Sequence, residues 1–212
     1  MPFIIKNTVG PRALWGVWEV NEPLDSLING LIMSDFDKNE YAQITHPTRM
    51  YEWVGARKAL QTLALDFGIE YKGIVKEANG KSYLVDSNAH ISISHTKDFA
   101  AVMIHYDTSV GIDIELLKEK IELIAHKFIS DEEFGFINKN MNKLTIAWCA
   151  KEAVYKSIGV DGISFKDHIR LHDFDAILAG RLVAEVIHPD FKQSVVLNYI
   201  LMKNFCVAHT VI

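Results

Sequence analysis

Val110–Glu115 has the sequence VGIDIE, and Trp148–Lys156, further along the chain, has the sequence WCAKEAVYK. The first segment predicts a strand, because its apolar residues recur at every second position and so occupy one face. Asp113 and Glu115 then lie side by side on the opposite face. We therefore expect two carboxylates to share one small patch of the protein.

The second segment predicts a helix that brings a third carboxylate and an ammonium group. Trp148, Glu152 and Lys156 are spaced by four residues and therefore line one face of this helix. Three carboxylates suit a divalent cation, and Mg²⁺ prefers oxygen ligands that are completed by water and substrate phosphates. Lys156 would add a positive charge for the same phosphates.

Each segment also has a plainer interpretation. An Asp-x-Glu pair on a strand is most often part of a solvated outer face. Glu152 and Lys156 also form a favourable helix pair, since Glu precedes Lys by one turn. Two upstream segments in the same chain favour the functional interpretation. They are Gly80–Leu84, with the sequence GKSYL, and Ile91–Thr96, with the sequence ISISHT.

Taken in order, these four segments resemble the motifs of the 4′-phosphopantetheinyl transferases. The resemblance is to the long, single-chain, surfactin-synthetase-activating type, which activates carrier domains of peptide, polyketide and fatty-acid synthases, and it runs from Arg49 to Phe165. Two positions depart from the family pattern. Ser82 replaces the usual proline and so lacks its fixed φ, and Ser92–Thr96 replaces the common Asn-x-Ser-His-Ser.

The resemblance implies the reaction and the metal ligands. Such enzymes transfer 4′-phosphopantetheine from coenzyme A to a serine hydroxyl of an apo acyl, peptidyl or polyketide carrier protein, and release adenosine 3′,5′-bisphosphate. Asp113, Glu115 and Glu152 match the ligands of Mg²⁺, with Mn²⁺ as an alternative. The matching catalytic residues are Glu152, Glu115 and Lys156. Our candidate for the base that takes the serine proton is Glu152, or a water held by Glu115 or Glu152.

The resemblance also implies the residues that bind coenzyme A. His95, which follows Ser94 at a strand end, and Arg49, at the start of a long helix, match positions around the 3′-phosphate. Lys81 matches a position near the adenine, and Lys156 a position near the pyrophosphate. Taken alone, His95 is more often an exposed loop residue.

Four residues of the two predicted helices are expected to have roles outside the reaction itself. Lys151 lies on a different side of its helix from Glu152 and is expected to be a structural or surface partner. Trp148 is expected to pack and to fix the catalytic helix. Arg57 and Lys58 are expected to be solvated residues of the long helix, although Arg57 also matches a basic position in some members of the family that the chain resembles.

Composition excludes several other classes of protein. The chain of 212 residues is 49% hydrophobic and 23% charged, which is sufficient for a core of ordinary size. Its net charge of −5 argues against a general nucleic-acid surface. The start of the chain lacks a signal sequence, and the chain lacks an apolar stretch long enough to span a membrane, so we expect a cytoplasmic protein. Cys149 and Cys206 are expected to be buried thiols.

The implied fold class is α+β. The family fold is a pseudo-dimer of two similar α+β subdomains, each a helix packed on a mainly antiparallel sheet, with the active site in the cleft between them. We expect residues 1–106 to form the first subdomain and residues 107–212 to form the second, which would carry the metal site. Since one chain holds both halves, a monomer is expected.

The pattern also predicts individual elements. Pro47 and Gly68 bracket a helix from Thr48 to Phe67, and Gly159 ends a helix from Leu144 to Ile158. A capping box is expected at Ser130–Glu133. Strands are predicted at Leu14–Val20, Ile91–Ser94, Phe99–His105, His168–Leu171, Leu182–Ile187, Ser194–Met202 and Phe205–Val211.

Two other functions remain open from the sequence. A magnesium-dependent phosphohydrolase could use the same carboxylates to activate water. A degenerate transferase could bind carrier proteins without modifying them, although the presence of all three carboxylates and Lys156 disfavours this. The sequence does not specify the carrier protein, the pathway or whether acyl-coenzyme A is accepted.

Overall fold

The computed structural model describes residues 3–77 and 80–212. The chain divides into two compact units, Met1–Val110 and Gly111–Ile212. Each unit combines helices with an antiparallel sheet, so the α+β prediction is confirmed. The division into residues 1–106 and 107–212, and the relation of the two halves as a pseudo-dimer, stay predictions.

The described part of the first unit forms one sheet with the strand order β1-β2-β6-β5-β4-β3. Neighbouring strands in this sheet run antiparallel. The strands are β1 (Phe3–Val9), β2 (Ala13–Glu19), β3 (Ile74–Lys76), β4 (Ser82–Leu84), β5 (His90–Thr96) and β6 (Phe99–His105). A short 3-10 turn, Gly10–Arg12, connects β1 to β2.

Three helices accompany this sheet: α1 (Leu24–Ile28), α2 (Asp35–Ala42) and α3 (Pro47–Asp66). The long helix α3 begins with proline in its first turn, where the missing N–H costs nothing, and Gly68 follows its end with φ of 77°. Its buried side chains, among them Val54, Leu60 and Leu63, pack on the sheet and form the core of this unit. The packing places the start of α3 near the end of β5.

Arg57 is buried, so the prediction of a solvated residue is wrong. Its Nε lies 2.8 Å from Asp37 Oδ1 and its Nη2 lies 2.8 Å from Glu40 Oε2, while its guanidinium lies over the ring of Trp53. The carboxylates of α2 satisfy the charge that burial would otherwise leave uncompensated. Lys58, at the next position, donates to Asn29 O near the surface.

The second unit contains a five-stranded sheet with the order β7-β11-β10-β9-β8. Its strands are β7 (Val110–Leu116), β8 (Ile169–Leu171), β9 (Ala179–His188), β10 (Phe191–Leu201) and β11 (Phe205–Val211). Its helices are α4 (Lys120–Phe128), α5 (Asp131–Ile137) and α6 (Met141–Ile158). The first residue of β7, Val110, is the last residue of the first unit.

Helix α6 is the central helix of the second unit. The side chain of Asn140 caps its start by accepting from Lys143 N, and Gly159 ends it in the left-handed conformation with φ of 64°. Buried residues of α6, including Ile146, Ala150 and Val154, join residues of β9, β10 and β11 in one apolar core. The predicted capping box at Ser130–Glu133 is present at the start of α5.

Gly111 allows β7 and α6 to approach each other closely. A Cβ atom added at Gly111 would lie 1.8 Å from the carbonyl oxygen of Ala153 and 3.0 Å from Ser157 N. Both are backbone atoms of a regular helix, which cannot rotate away as a side chain can. The glycine of the GIDIE segment is therefore required by packing, and it sets the distance between the acidic strand and the helix.

The two cysteines are buried, as the sequence predicted. Cys149 and Cys206 are free and buried, and Cys149 Sγ lies 3.5 Å from Cys206 O. Among the helices of residues 3–77 and 80–212, none has the length and apolar character that crossing a membrane requires.

Gly111→Ala should lower the free energy of unfolding by about 1–3 kcal/mol or more, because the new methyl group displaces α6 from β7. Chemical denaturation at pH 7 measures the change. Gly135→Ala is the matched control, since no atom lies within 4 Å of a Cβ at this helical glycine. The control should be neutral or stabilising by about 0.5–1 kcal/mol. Equal stabilities of the two variants would contradict the proposed close packing.

Candidate active site

Strand β7 buries the first carboxylate of the acidic pair. Asp113 is only 3% exposed, and Glu115 is partly buried. The plainer interpretation, a solvated outer face, is therefore wrong for Asp113. A carboxylate at this depth requires compensation by a cation or by hydrogen bonds.

Helix α6 supplies that compensation through Lys156. Its Nζ lies 2.7 Å from Asp113 Oδ1 and 3.3 Å from the carbonyl oxygen of Ile112. The Lys156 side chain is 26% exposed, and its ammonium group is held by these two oxygens. The structure therefore brings together the helix and strand segments, as the sequence predicted.

The acidic side chains are close enough to disturb one another's protonation. Burial, with the charge of Asp113 as the second cause, raises the pKa of Glu115 to about 7, although Trp148 and Lys156 oppose the change. Burial and then Asp113 also raise the pKa of Glu152, and Lys156 opposes this. Burial lowers the pKa of Lys156, but Asp113 and Glu152 outweigh it and the pKa is raised. One lysine therefore neutralises only part of the negative charge.

The chemistry of this cluster fits a hard divalent cation. Carboxylate oxygens are the ligands that Mg²⁺ prefers, and a cation would offset the repulsion that raises the pKa values of Glu115 and Glu152. Within the residues that the structure describes, no three His, Cys, Asp or Glu side chains are arranged as a ready metal site. Mg²⁺ commonly uses one or two carboxylates with water and substrate phosphates, so a closed set of three ligands is not required.

Trp148 has a second role besides the predicted packing. Its ring contacts those of Phe128 and Phe165, which confirms the packing. In addition, its Nε1 donates to Glu115 Oε1 over 3.4 Å. Sequence reasoning missed this bond, although the position of Trp148 one turn before Glu152 already placed it on the face that meets β7.

The residues expected around the 3′-phosphate lie in the first unit. His95, near the end of β5, has its Nδ1 3.6 Å from Glu52 Oε2. Glu52 lies one turn after the exposed Arg49 on α3. Arg49 and His95 are thus at the same end of the helix, and Glu52 is an acidic neighbour that the sequence analysis did not include. Ser94 is buried beside His95 on the strand.

Lys81 lies nearer the other end of β5. Its Nζ donates to Ser109 Oγ over 2.7 Å, and burial lowers its pKa. The pKa of His90 is lowered by burial and then by the charge of Lys81, which places the ammonium group near the first residue of β5. The structure therefore groups Arg49 with His95 and places Lys81 separately.

The part of the chain that holds the acidic cluster is similar to a known protein family. Residues 109–208 match the 4′-phosphopantetheinyl transferase superfamily. The matched region contains the four clustered residues Asp113, Glu115, Glu152 and Lys156, together with Lys151. The residues expected around the 3′-phosphate and the adenine precede it.

A relative from Haemophilus influenzae matches more of the chain. This protein, named provisionally as a 4′-phosphopantetheinyl transferase, is 27% identical over 158 residues. The alignment covers 66% of this chain and 65% of the relative, so just under two thirds of the relative's length is matched. Both comparisons therefore find similarity to the same group of proteins, the 4′-phosphopantetheinyl transferases.

The raised pKa of Glu115 predicts how the stability of the protein depends on pH. The prediction applies to protein from which metal ions have been removed by chelation. Since its pKa is raised from 4.5 to about 7, the folded protein holds this proton more tightly than the unfolded chain. Stability is therefore lost as the pH rises between these two values. Glu115→Gln should raise the free energy of unfolding by about 1–3 kcal/mol at pH 8 and change it little at pH 4.

Urea denaturation at both pH values measures this difference. Glu132→Gln is the control, since the side chain of Glu132 is 81% exposed and its substitution should show no such pH dependence. A Glu115→Gln effect of the same size at pH 4 and pH 8 would show that the Glu115 carboxyl group is not protonated at neutral pH.

Proposed function

We propose that this protein transfers 4′-phosphopantetheine from coenzyme A to a serine hydroxyl of an apo carrier protein. The observation that carries the proposal is the position of Lys156, whose Nζ lies 2.7 Å from Asp113 in a cluster with Glu115 and Glu152. This cluster lies inside the region that matches the superfamily. Negative charge and a neighbouring ammonium group together suit a cation and a phosphate.

The chemistry explains why such a cluster is needed. The serine oxygen attacks the β-phosphorus of coenzyme A, and the bond from that phosphorus to the leaving adenosine bisphosphate breaks. Mg²⁺, or Mn²⁺ in its place, would supply charge compensation for the pyrophosphate, and Asp113, Glu115 and Glu152 would hold it. Lys156 would bind the same phosphate oxygens as a point charge.

The serine proton requires an acceptor during this attack. Glu152 is our candidate, directly or through a water that Glu115 or Glu152 holds. Burial and the charge of Asp113 raise the pKa of Glu152, and a raised pKa makes a carboxylate a better proton acceptor near neutral pH. Glu115 would serve as the catalytic neighbour that shares the proton-accepting water.

Four residues outside the acidic cluster are also proposed to bind coenzyme A. We assign Arg49, Ser94 and His95 to the 3′-phosphate and Lys81 to the neighbourhood of the adenine. Arg49 and His95 lie at the same end of α3, which supports a shared anion, and the start of a helix itself favours an anion. Lys81 is held by Ser109 and would need to exchange or share that bond.

The type of transferase, its oligomeric state, its location and its partner are also proposals. We propose the long single-chain type of transferase, because the motifs extend from Arg49 to Phe165, and we propose that it acts as a monomer in the cytoplasm. An acyl or peptidyl carrier protein is the proposed partner. Mass spectrometry of apo carrier proteins after incubation with coenzyme A and Mg²⁺ tests the activity. Loss of coenzyme A without a mass increase on the carrier would indicate a phosphohydrolase instead.

Glu152→Ala should lower the rate of transfer by at least ~10²-fold, since the residue is proposed as both ligand and proton acceptor. The rate is measured as holo carrier formed per minute at saturating Mg²⁺. Glu132→Ala removes an exposed carboxylate of α5 and should keep the wild-type rate. A near-normal rate in Glu152→Ala would exclude it from both roles.

His95→Ala should weaken coenzyme A binding by ~10-fold or more, because one charge-assisted hydrogen bond to the 3′-phosphate is lost. Dephospho-coenzyme A should bind wild type more weakly for the same reason. Calorimetry measures both losses, and His172→Ala serves as the control at an exposed histidine. Combining His95→Ala with dephospho-coenzyme A should cost much less than the sum of the two losses. Additive losses would show that His95 does not contact this phosphate.

A further inference from the structure

Lys151 is fully buried and connects four separate parts of the second unit. Its Nζ lies 2.8 Å from Glu133 Oε2, and it donates to the carbonyl oxygens of Phe128, Phe165 and Ile169 over 2.7, 2.9 and 2.6 Å. An ammonium group has three protons, so these four acceptors share them. The sequence predicts a structural or surface partner at this position, and Lys151 is a structural one.

Two of the four segments that Lys151 binds also contact Trp148. The ring of Phe128 meets the Trp148 ring edge-on, with centroids 5.0 Å apart, and the ring of Phe165 lies 5.6 Å from it. The backbone carbonyls of both phenylalanines accept hydrogen bonds from Lys151. One buried ammonium group therefore fixes the backbone behind both rings that contact Trp148.

Trp148 in turn reaches the acidic cluster, because its Nε1 donates to Glu115 Oε1 over 3.4 Å. This hydrogen bond opposes the rise in the pKa of Glu115 that burial causes. A bond of this length depends on the position of the indole, so a small rotation of the ring would break it.

We propose that the Lys151–Glu133 pair is a positioning device for Glu115, which acts by holding Phe128 and Phe165 against Trp148. Its effect on the reaction rests on the proposed transfer activity, whereas its effect on Trp148 does not. Lys151 and Glu133 are positioning residues, since they act on Glu115 through Trp148.

The use of a charged pair supports this role. An apolar side chain at position 151 could fill the space, but the three carbonyl oxygens that Lys151 binds would lose this donor. Buried ion pairs often contribute less to stability than apolar residues of similar volume. The bonds of Lys151 are directional, however, and fix three backbone segments relative to α6.

The test uses the double variant Lys151→Met with Glu133→Gln, which removes the charged pair without leaving a buried charge. The Glu133→Gln change keeps a side-chain oxygen for the start of α5, where Glu133 now accepts from Ser130 N. Lys143→Met is the matched control on the same helix, because Lys143 Nζ binds Phe136 O and Asp173 and is 17% exposed. Folding of each variant is checked by circular dichroism.

The first readout is the indole N–H resonance of Trp148 in protein labelled with ¹⁵N at its four tryptophans. Trp148→Phe identifies the signal by its disappearance. The double variant should shift the Trp148 signal and leave those of Trp15, Trp18 and Trp53 in place, whereas Lys143→Met should shift none of the four. An unmoved Trp148 signal in the folded double variant would overturn the proposal.

The second readout is transfer to an apo carrier protein. The double variant should lower kcat by ~10-fold with little change in the KM for coenzyme A, as expected for a partner that orients a metal ligand. Trp148→Phe should give a similar loss, and combining the changes should add less than about twofold, because they act through one interaction. Losses that multiply would overturn the proposal.

If the double variant does not fold, Glu133→Gln alone provides the decisive measurement. It removes the carboxylate charge of the pair and keeps both rings beside Trp148. The Trp148 signal should shift relative to that of wild type, and an unmoved signal would contradict the proposal. If the wild-type protein has no transfer activity, the proposed function is refuted. The positioning role is still tested by the indole N–H signal of Trp148, which does not depend on that activity.

Discussion

The arrangement of the second unit depends on direct contact between the backbone of β7 and the backbone of α6. A side chain at position 111 would overlap the carbonyl group of Ala153. The close contact is therefore possible only because residue 111 is glycine. The contact places Lys156 within 2.7 Å of Asp113. With a wider separation, the buried Asp113 carboxylate would lose this partner, and burial of an unpaired charge is costly.

The acidic cluster is thus held together by packing rather than by its own electrostatics. Asp113, Glu115 and Glu152 repel one another, and this repulsion, added to burial, raises the pKa of Glu115 and of Glu152. Such an arrangement is unfavourable in a protein that serves only as a scaffold. It is the arrangement expected where a cation and a charged substrate complete the site. The cores of α6 and its sheet supply the stability that offsets this repulsion.

Much of the second unit could be predicted because local signals coincide with its elements. Strand β11 was predicted with its observed bounds, the capping box was located correctly, and Gly159 marked the end of α6. The burial of Arg57 could not be predicted, since its partners Asp37 and Glu40 lie on a helix that the pattern did not indicate. Helix α2 is short and polar, so it lacks the apolar period that sequence reasoning detects.

The site shows the same division between local and tertiary information. The shared face of Glu152 and Lys156 follows from helix geometry and was predictable. The bond from Trp148 to Glu115 and the acidic neighbour of His95 depend on which elements meet. The residue pattern within one segment does not show which other segments it will contact. The roles of the individual site residues stay predictions.

Glu133 takes part both in the capping box of α5 and in the ion pair with Lys151. One of its oxygens accepts from Ser130 N at the start of α5, both contact Lys151, and the other accepts from Leu171 N. Helix α5 therefore cannot unravel at its first turn without exposing a buried ammonium group and freeing the edge strand β8. Because Glu133 and Lys151 join this short helix to the helix that carries Glu152, we expect the slowest amide hydrogens of the two helices to exchange as one cooperative unit.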